Sequence, residues 1–314
     1  MNPLATIYGS VVGARNALYH RGLLRAHRLA GPVVSVGNLS TGGSGKTPFV
    51  ILLGELLKSR GIKFDVLSRG YGRTTRGPLA VDPDGSPHDF GDEPLLIARR
   101  LQIPVFVGED RTEAGRLAEN KFGPQLHLLD DGFQHRALAR DFDIVLVTPH
   151  DTEDRLLPAG RLREPLRSLQ RADAVVLASG AAPEMFPLQG KLVWRVHRTI
   201  LPQHVPPLPV VFCGIARPQN FVQQLRAAHI EPAAEAFYRD HHPYTEKDIS
   251  ELLQLKQQSE AGGFLTTEKD AINLGNHIYA LAPLSVVPVK MDLEDAANAV
   301  DTMLRVIAER KRQP

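Results

Sequence analysis

The residues best suited to chemistry lie between Val33 and Thr47. An apolar run, Val33–Val36, leads into Gly37-Asn38-Leu39-Ser40-Thr41-Gly42-Gly43-Ser44-Gly45, then Lys46-Thr47 and an apolar helical stretch. That strand, loop and helix order is the context a phosphate-binding loop requires. Thr41, Gly42, Gly43, Ser44 and Gly45 form its turn. The three glycines let backbone N–H groups curl around phosphate oxygens. A helix opening at Lys46 aims the positive end of its dipole at the same place. Lys46 is expected to reach the β- and γ-phosphates of a nucleotide, and Thr47 to ligate Mg²⁺. Ser40 stands where the general motif has its first glycine.

A phosphate loop needs an acidic partner for its cation at the end of a neighbouring strand. Leu126–Leu129 followed by Asp130-Asp131-Gly132 offers two. Adjacent carboxylates leave a strand in different directions, so different jobs are expected of them. Ser68-Arg69-Gly70-Tyr71-Gly72-Arg73 places two guanidiniums on a flexible loop. Arg69 and Arg73 suit an anionic substrate, and a solvated loop fits them equally well. Thr75 sits where a dinucleotide fingerprint needs glycine, which disfavours that reading. Gly91-Asp92-Glu93-Pro94 precedes an apolar helix. Asp92 can cap that helix and can also take a proton from an attacking hydroxyl. In Asp240-His241-His242-Pro243-Tyr244, adjacent histidines rarely hold one metal ion together. An Asp–His pair suits acid–base work; surface histidines before a helix are the plain alternative. Gly160–Pro165 and Thr266–Asp270 read as charged loops.

These residues need a scaffold. Val33–Val36, Phe64–Leu67, Pro104–Val107, Leu126–Leu129, Phe142–Val147 and Ala174–Leu177 are short apolar runs. Stretches with helical spacing, such as Pro48–Ser59 and Glu93–Leu101, lie between most of them. That alternation predicts an α/β fold with a mostly parallel sheet and helices on both faces. Sites in such folds form at the carboxyl ends of the strands. Near residue 200, Pro202, Pro206, Pro207 and Pro209 make a stiff connection. A smaller α/β lobe is expected beyond it, from Val210–Cys213, helices near Asn220–Ala228 and Glu246–Gln258, and a strand at Phe264–Leu265. Lys191–Val196 and Val286–Met291 are expected to pair as a ribbon joining the lobes, and a last helix to run from Leu293 to Arg310. The expected division is therefore a helix in 1–30, a phosphate-loop unit in 31–200 and a smaller lobe in 201–314.

With 314 residues, 43% hydrophobic and 23% charged, the chain can bury a substantial core and bulk disorder is excluded. One cysteine, Cys213, rules out an intramolecular disulfide framework and a cysteine-based zinc site. The net charge of +2 gives no argument for nucleic acid. It is a cancellation: residues 1–54 hold five basic and no acidic side chains, and the remainder is net negative. Residues 1–14 are uncharged and carry Leu4, Ile7, Tyr8, Val11 and Val12, with Arg15, Arg21, Arg25 and Arg28 after them. A secretory signal has the opposite order. A helix lying in a membrane interface fits, with Arg21, Arg25 and Arg28 on one helical face near anionic headgroups. A helix packed on the domain surface is the alternative.

Together the motifs resemble the tetraacyldisaccharide 4′-kinase family, the lipid A 4′-kinases of Gram-negative bacteria. The resemblance runs in order through Ser35–Asn38, Gly42–Pro48, Ser68–Gly72, Gly91–Pro94, Asp130–His135, Gly160–Pro165, Asp240–His242 and Thr266–Asp270. It implies ATP and Mg²⁺ as cofactors and transfer of the γ-phosphate to the 4′-hydroxyl of a tetraacylated disaccharide 1-phosphate. It implies a monomer on the cytoplasmic face of the inner membrane, with no nucleic-acid partner. It implies Asp92 as the base and His241, rather than His242, as its partner. Asp130, Asp131 and Glu164 are then assigned to Mg²⁺ or its waters. Arg69, Arg73, Glu93, Gln134, His135 and Arg163 are assigned to the reacting phosphate and sugar. A nucleotide switch acting on a protein, or a kinase of a soluble sugar, are the competing readings.

Overall fold

The computed structural model describes residues 2–178 and 180–312. The first eight strands are β1 (Val33–Asn38), β2 (Phe64–Ser68), β3 (Leu79–Ala80), β4 (Val105–Val107), β5 (Leu126–Asp130), β6 (Phe142–Val147), β7 (Ala174–Leu177) and β8 (Leu192–Ile200). The chain then builds β9 (Val210–Cys213), β10 (Ala234–Phe237), β11 (Phe264–Thr267) and β12 (Leu284–Val287) into a separate sheet. It returns as β13 (Val289–Leu293) to the edge of the first. The larger sheet has the order β13-β8-β7-β6-β1-β5-β2-β4-β3, parallel except at its two edge pairs. The smaller is parallel throughout, in the order β10-β9-β11-β12. Strands β1, β2, β5 and β6 are buried along their whole length, as a sheet covered on both faces requires.

The helices are α1 (Pro3–His20), α2 (Lys46–Ser59), α3 (Pro87–Phe90), α4 (Asp92–Leu101), α5 (Arg111–Lys121), α6 (Pro218–Ala227), α7 (Glu246–Gln258), α8 (Glu268–Leu274) and α9 (Ala296–Arg312). Helix α2 packs Phe49, Val50 and Leu53 into the main core with Val34, Val36 and Leu128. Helix α9 joins that same core through Ala299, Val300, Met303 and Ile307. The expected assignment of 201–314 to the smaller lobe therefore differs from the packing, because β13 and α9 return to the larger unit.

A ribbon forms, but not between the expected segments: β13 pairs with Val196–Ile200, from Val289 opposite Ile200 to Leu293 opposite Val196, while Leu192–Arg195 pairs with β7 in the larger sheet. The expected second strand, Val286–Met291, is split at Pro288. Proline has no N–H to continue a ladder, so β12 stays in the smaller sheet and β13 starts afresh in the ribbon. Thr266–Asp270 is not a loop: Thr267 caps α8 by accepting from the Asp270 N–H. Helix α1 buries no residue, and Leu4, Ile7 and Val11 are each 61% exposed. It ends at His20, so Arg21, Arg25 and Arg28 follow the helix and do not share one of its faces. No helix among the described residues is long and apolar enough to cross a membrane.

Candidate active site

Gly45 opens α2 in the left-handed region, at φ 84°, and no side chain caps the helix. The first N–H groups of α2 are thereby left for a ligand. Gly42 also has a positive φ, and a Cβ there would lie 2.8 Å from the Ala216 methyl of the smaller unit. The loop thus lies where the two units meet, along a cavity of about 500 Å³ lined by residues of both. Asn38 organises the loop from below: its amide donates to Ser44 Oγ at 2.7 Å, and its Oδ1 accepts from Lys46 at 3.2 Å.

Asp130 and Asp131 have different surroundings. Asp131 is gripped by both Arg163 terminal nitrogens at 2.9 Å and faces Lys46 at 3.5 Å. Burial alone would raise its pKa, but Lys46 and Arg163 outweigh burial and hold it well below the usual carboxylate range. Asp130 is 1% exposed. One oxygen accepts from Ser68 at 3.0 Å; the other is buried with no partner. Burial, with Glu93 and Asp131 nearby, pushes this carboxyl up to about 7. Burial and like charges outweigh the nearby Lys46 charge, which acts in the opposite direction.

Asp92 lies in the first turn of α4, behind Gly91, which is the actual cap. A carboxylate there is favoured by the helix dipole. Its oxygens accept from His241 Nδ1–H at 2.9 Å and from the Asn273 amide at 2.9 Å, with Lys269 Nζ at 3.9 Å. Lys269 donates to Asp240 at 2.8 Å and to His241 Nε2 at 3.1 Å. Because lysine can only donate, that contact makes Nε2 the acceptor and puts the proton on Nδ1. Burial would raise Asp92, yet the His241 hydrogen bond and the Lys269 charge bring it below its ordinary value. Burial would depress His241; the Asp92 carboxylate lifts it above the ordinary imidazole value. Buried Asp270 supports this corner by accepting from the Gly214 N–H and the Tyr244 hydroxyl, while the Gly214 carbonyl holds the His241 N–H. His241 itself sits at φ 59°, a strained conformation of the kind found at functional positions. His242 turns away, stacked on Tyr238 and bonded to Asp248.

Thr41 to Thr47, Arg69, Asp92, Glu93, Asp130, Asp131, Arg163 and His241 all line the one cavity. Four expected site residues do not. Glu164 is spent on a two-pronged pair with Arg171 at 2.7 and 3.0 Å and on the Asn16 amide of α1 at 2.7 Å. Arg73 is bound to Glu109 and the Gly77 carbonyl. The Gln134 amide donates to the Asn38 carbonyl, and the Gln134 carbonyl accepts from Arg15 of α1. His135 is pushed down to about 4 by burial and by Arg111 nearby, and its Nε2 is sealed without a partner. The structure adds Lys269, Asn273, Asn38, Ser68, Arg198 and Arg217 to the site or its immediate support. The Thr267-x-x-Asp270 spacing is a helix-start signature that would have placed Lys269 and Asn273 on one helix.

A family model described as tetraacyldisaccharide-1-P 4′-kinase matches residues 1–308. The chain is 51% identical to the tetraacyldisaccharide 4′-kinase of Koribacter versatilis, over 99% of this chain and 100% of that one. It is 38% identical to the Aquifex aeolicus protein of the same name, over 89% of this chain and 91% of that one. It is also similar to a crystal structure of LpxK from Aquifex aeolicus in complex with ATP. The TM-score is 0.80 at 35% identity, over 97% of this chain and 98% of that one.

Proposed function

The chain belongs to the tetraacyldisaccharide 4′-kinase family, and from that premise we propose how its residues divide the work. The reaction is ATP-dependent phosphorylation of the 4′-hydroxyl of tetraacyldisaccharide 1-phosphate, in lipid A biosynthesis. Phosphoryl transfer asks for positioning and charge neutralisation more than covalent chemistry. The N–H groups of loop 41–47 and of the first turn of α2 hold the β- and γ-phosphates, and Lys46 neutralises them. Asp92 accepts the proton of the 4′-hydroxyl as that oxygen bonds to the γ-phosphorus and the bond to the ADP oxygen breaks. His241 and Asn273 hold Asp92 in place, and Lys269 keeps it ionised.

Mg²⁺ fits the residues present. The Thr47 hydroxyl and the unpartnered oxygen of Asp130 are hard donors beside the phosphate loop. This ion commonly takes one or two carboxylates, completing its shell with phosphates and water. Among the described residues no set of three His, Cys, Asp or Glu could hold a metal alone, which suits an ion shared with the nucleotide. Held by Thr47 and Asp130, it would supply positive charge to offset that of the nucleotide phosphates. Asp131 anchors Arg163 and Lys46 instead, and Glu164 ties α1 to the body.

Arg69, Glu93 and Arg163 face the acceptor, while Gln134 and His135 stand behind the wall next to α1. We place the enzyme peripherally on the cytoplasmic face of the inner membrane, as a monomer, with α1 in the interface. The exposed Leu4, Ile7 and Val11 support that placement. Functionally the chain divides into the α1 segment, the phosphate-loop unit with α9, and the smaller unit between them.

The observation that carries the reading is the 2.9 Å contact of Asp92 with His241, made between the two units beside the phosphate loop. A nucleotide switch needs no base aimed at an acceptor hydroxyl. The test incubates the protein with γ-labelled ATP and the tetraacylated disaccharide 1-phosphate. Label on the lipid 4′-oxygen is expected; release of phosphate to water alone would overturn the reading.

A further inference from the structure

Among the described residues no carboxylate pairs with the Arg198 guanidinium. Arg198 lines the nucleotide cavity from β8, its Nε is sealed from solvent, and that nitrogen has no partner. Burial pulls its pKa below the ordinary guanidinium value, with no carboxylate nearby to restore it. Arg163, Arg171 and Arg310 are each held by a carboxylate. Arg198 is half-buried, with its Nε sealed from solvent; a partly desolvated guanidinium without a counter-ion is unfavourable, and one that faces a cavity points to an anion that arrives there.

The register says where that anion lies. Arg198 sits opposite Met291 in the ribbon, and cross-strand pairs share a face. The Met291 methyl lies 3.1 Å from the place a Cβ on Gly45 would take, so Arg198 stands beside the phosphate loop. Strand β8 lies on the β6–β7 side of β1; Asp130, bonded to Ser68 of β2, lies on the β5 side. Arg217 enters from the smaller unit, its stem 3.0 Å from the Cβ position of Gly43. We propose that Arg198, assisted by Arg217, binds the phosphates that stay with the nucleotide after transfer, rather than the γ-phosphoryl group. This assignment rests on the kinase reading above.

The test is Arg198→Met, which keeps much of the volume and removes the charge. MgATP and MgADP affinities are measured by calorimetry beside the wild type, with the lipid KM and the Tm of the nucleotide-free protein. Both nucleotides should weaken by a similar factor, about 10–100-fold. The lipid KM should hold, and Tm should stay level or rise because no protein partner is lost. Arg198→Lys, which keeps the charge, should recover part of the affinity. Unchanged affinity for both nucleotides would overturn the proposal. So would a loss confined to ATP, which would put Arg198 on the γ-phosphate. A fall in Tm with no rescue by lysine would make the residue structural and overturn it too. A wild type that binds neither nucleotide would sink the kinase reading itself.

Discussion

Asp92 and Asp130 are both buried carboxylates on one cavity, yet their surroundings are opposite. Asp92 is completed by the protein: His241 and Asn273 occupy its oxygens, Lys269 stands near, and it stays below its ordinary pKa. Asp130 is left incomplete: one oxygen has no partner, and the group rises to about 7. On the proposed assignment, the difference separates a base from a donor to a shared cation. A base must be ionised and aimed before its substrate arrives, whereas an oxygen donor to a shared cation becomes comfortable only when that cation arrives.

The largest effect is expected at the completed carboxylate. Asp92→Ala should lower kcat by about 10²–10⁴-fold with ATP affinity kept, read by steady-state kinetics and calorimetry; wild-type turnover would remove Asp92 from the mechanism. Lys46→Ala should follow, costing about 10²–10³-fold in kcat/KM through weaker nucleotide and transition state together; unaltered kinetics would contradict the phosphate-loop assignment.

A smaller change separates aiming from chemistry. Asn273→Ala should lower kcat by about 10-fold, the scale of one lost hydrogen bond to a charged group. It should also move the acid limb of the kcat profile upward. The direction follows from the donors: they hold Asp92 below its ordinary pKa, so removing one lets that pKa rise, and activity is lost at a higher pH as acid is added. An unmoved acid limb would reduce Asn273 to packing.

The smallest effect is on stability. The folded, nucleotide-free protein binds the Asp130 proton up to about pH 7, whereas the unfolded chain releases it near the ordinary value. The folded state therefore holds more protons between those limits, and this group's contribution to stability falls as pH rises through that window. Asp130→Asn should flatten that slope and raise the nucleotide-free Tm at pH 7.5 by about 2–4 °C for each kcal/mol relieved, while transfer is lost. A lower Tm would show that the carboxylate is already compensated.

The sequence made the nucleotide half more legible than the acceptor half, for a physical reason. The phosphate loop is local, its function carried by backbone and by residues within one turn. The parallel strands read clearly because they are apolar on both faces. The Asp92 corner is assembled from α4, the 240–242 loop and α8, and no local spacing reports those pairings. Glu164 illustrates the limit: it follows Arg163 directly, yet successive side chains point apart, so Arg163 faces Asp131 and Glu164 faces Arg171. Arg198 was silent because its signal is the missing counter-ion, which no sequence position announces.

The comparison is tested most directly by titrating the aspartate carboxyls by ¹³C NMR, with Asp92→Asn and Asp130→Asn assigning the two resonances. Without nucleotide, the Asp130 carboxyl should titrate near 7 and the Asp92 carboxyl below the ordinary aspartate value. Addition of MgATP should move Asp130 sharply down and leave Asp92 low. An Asp130 that titrates in the ordinary carboxylate range, with and without nucleotide, would contradict the account.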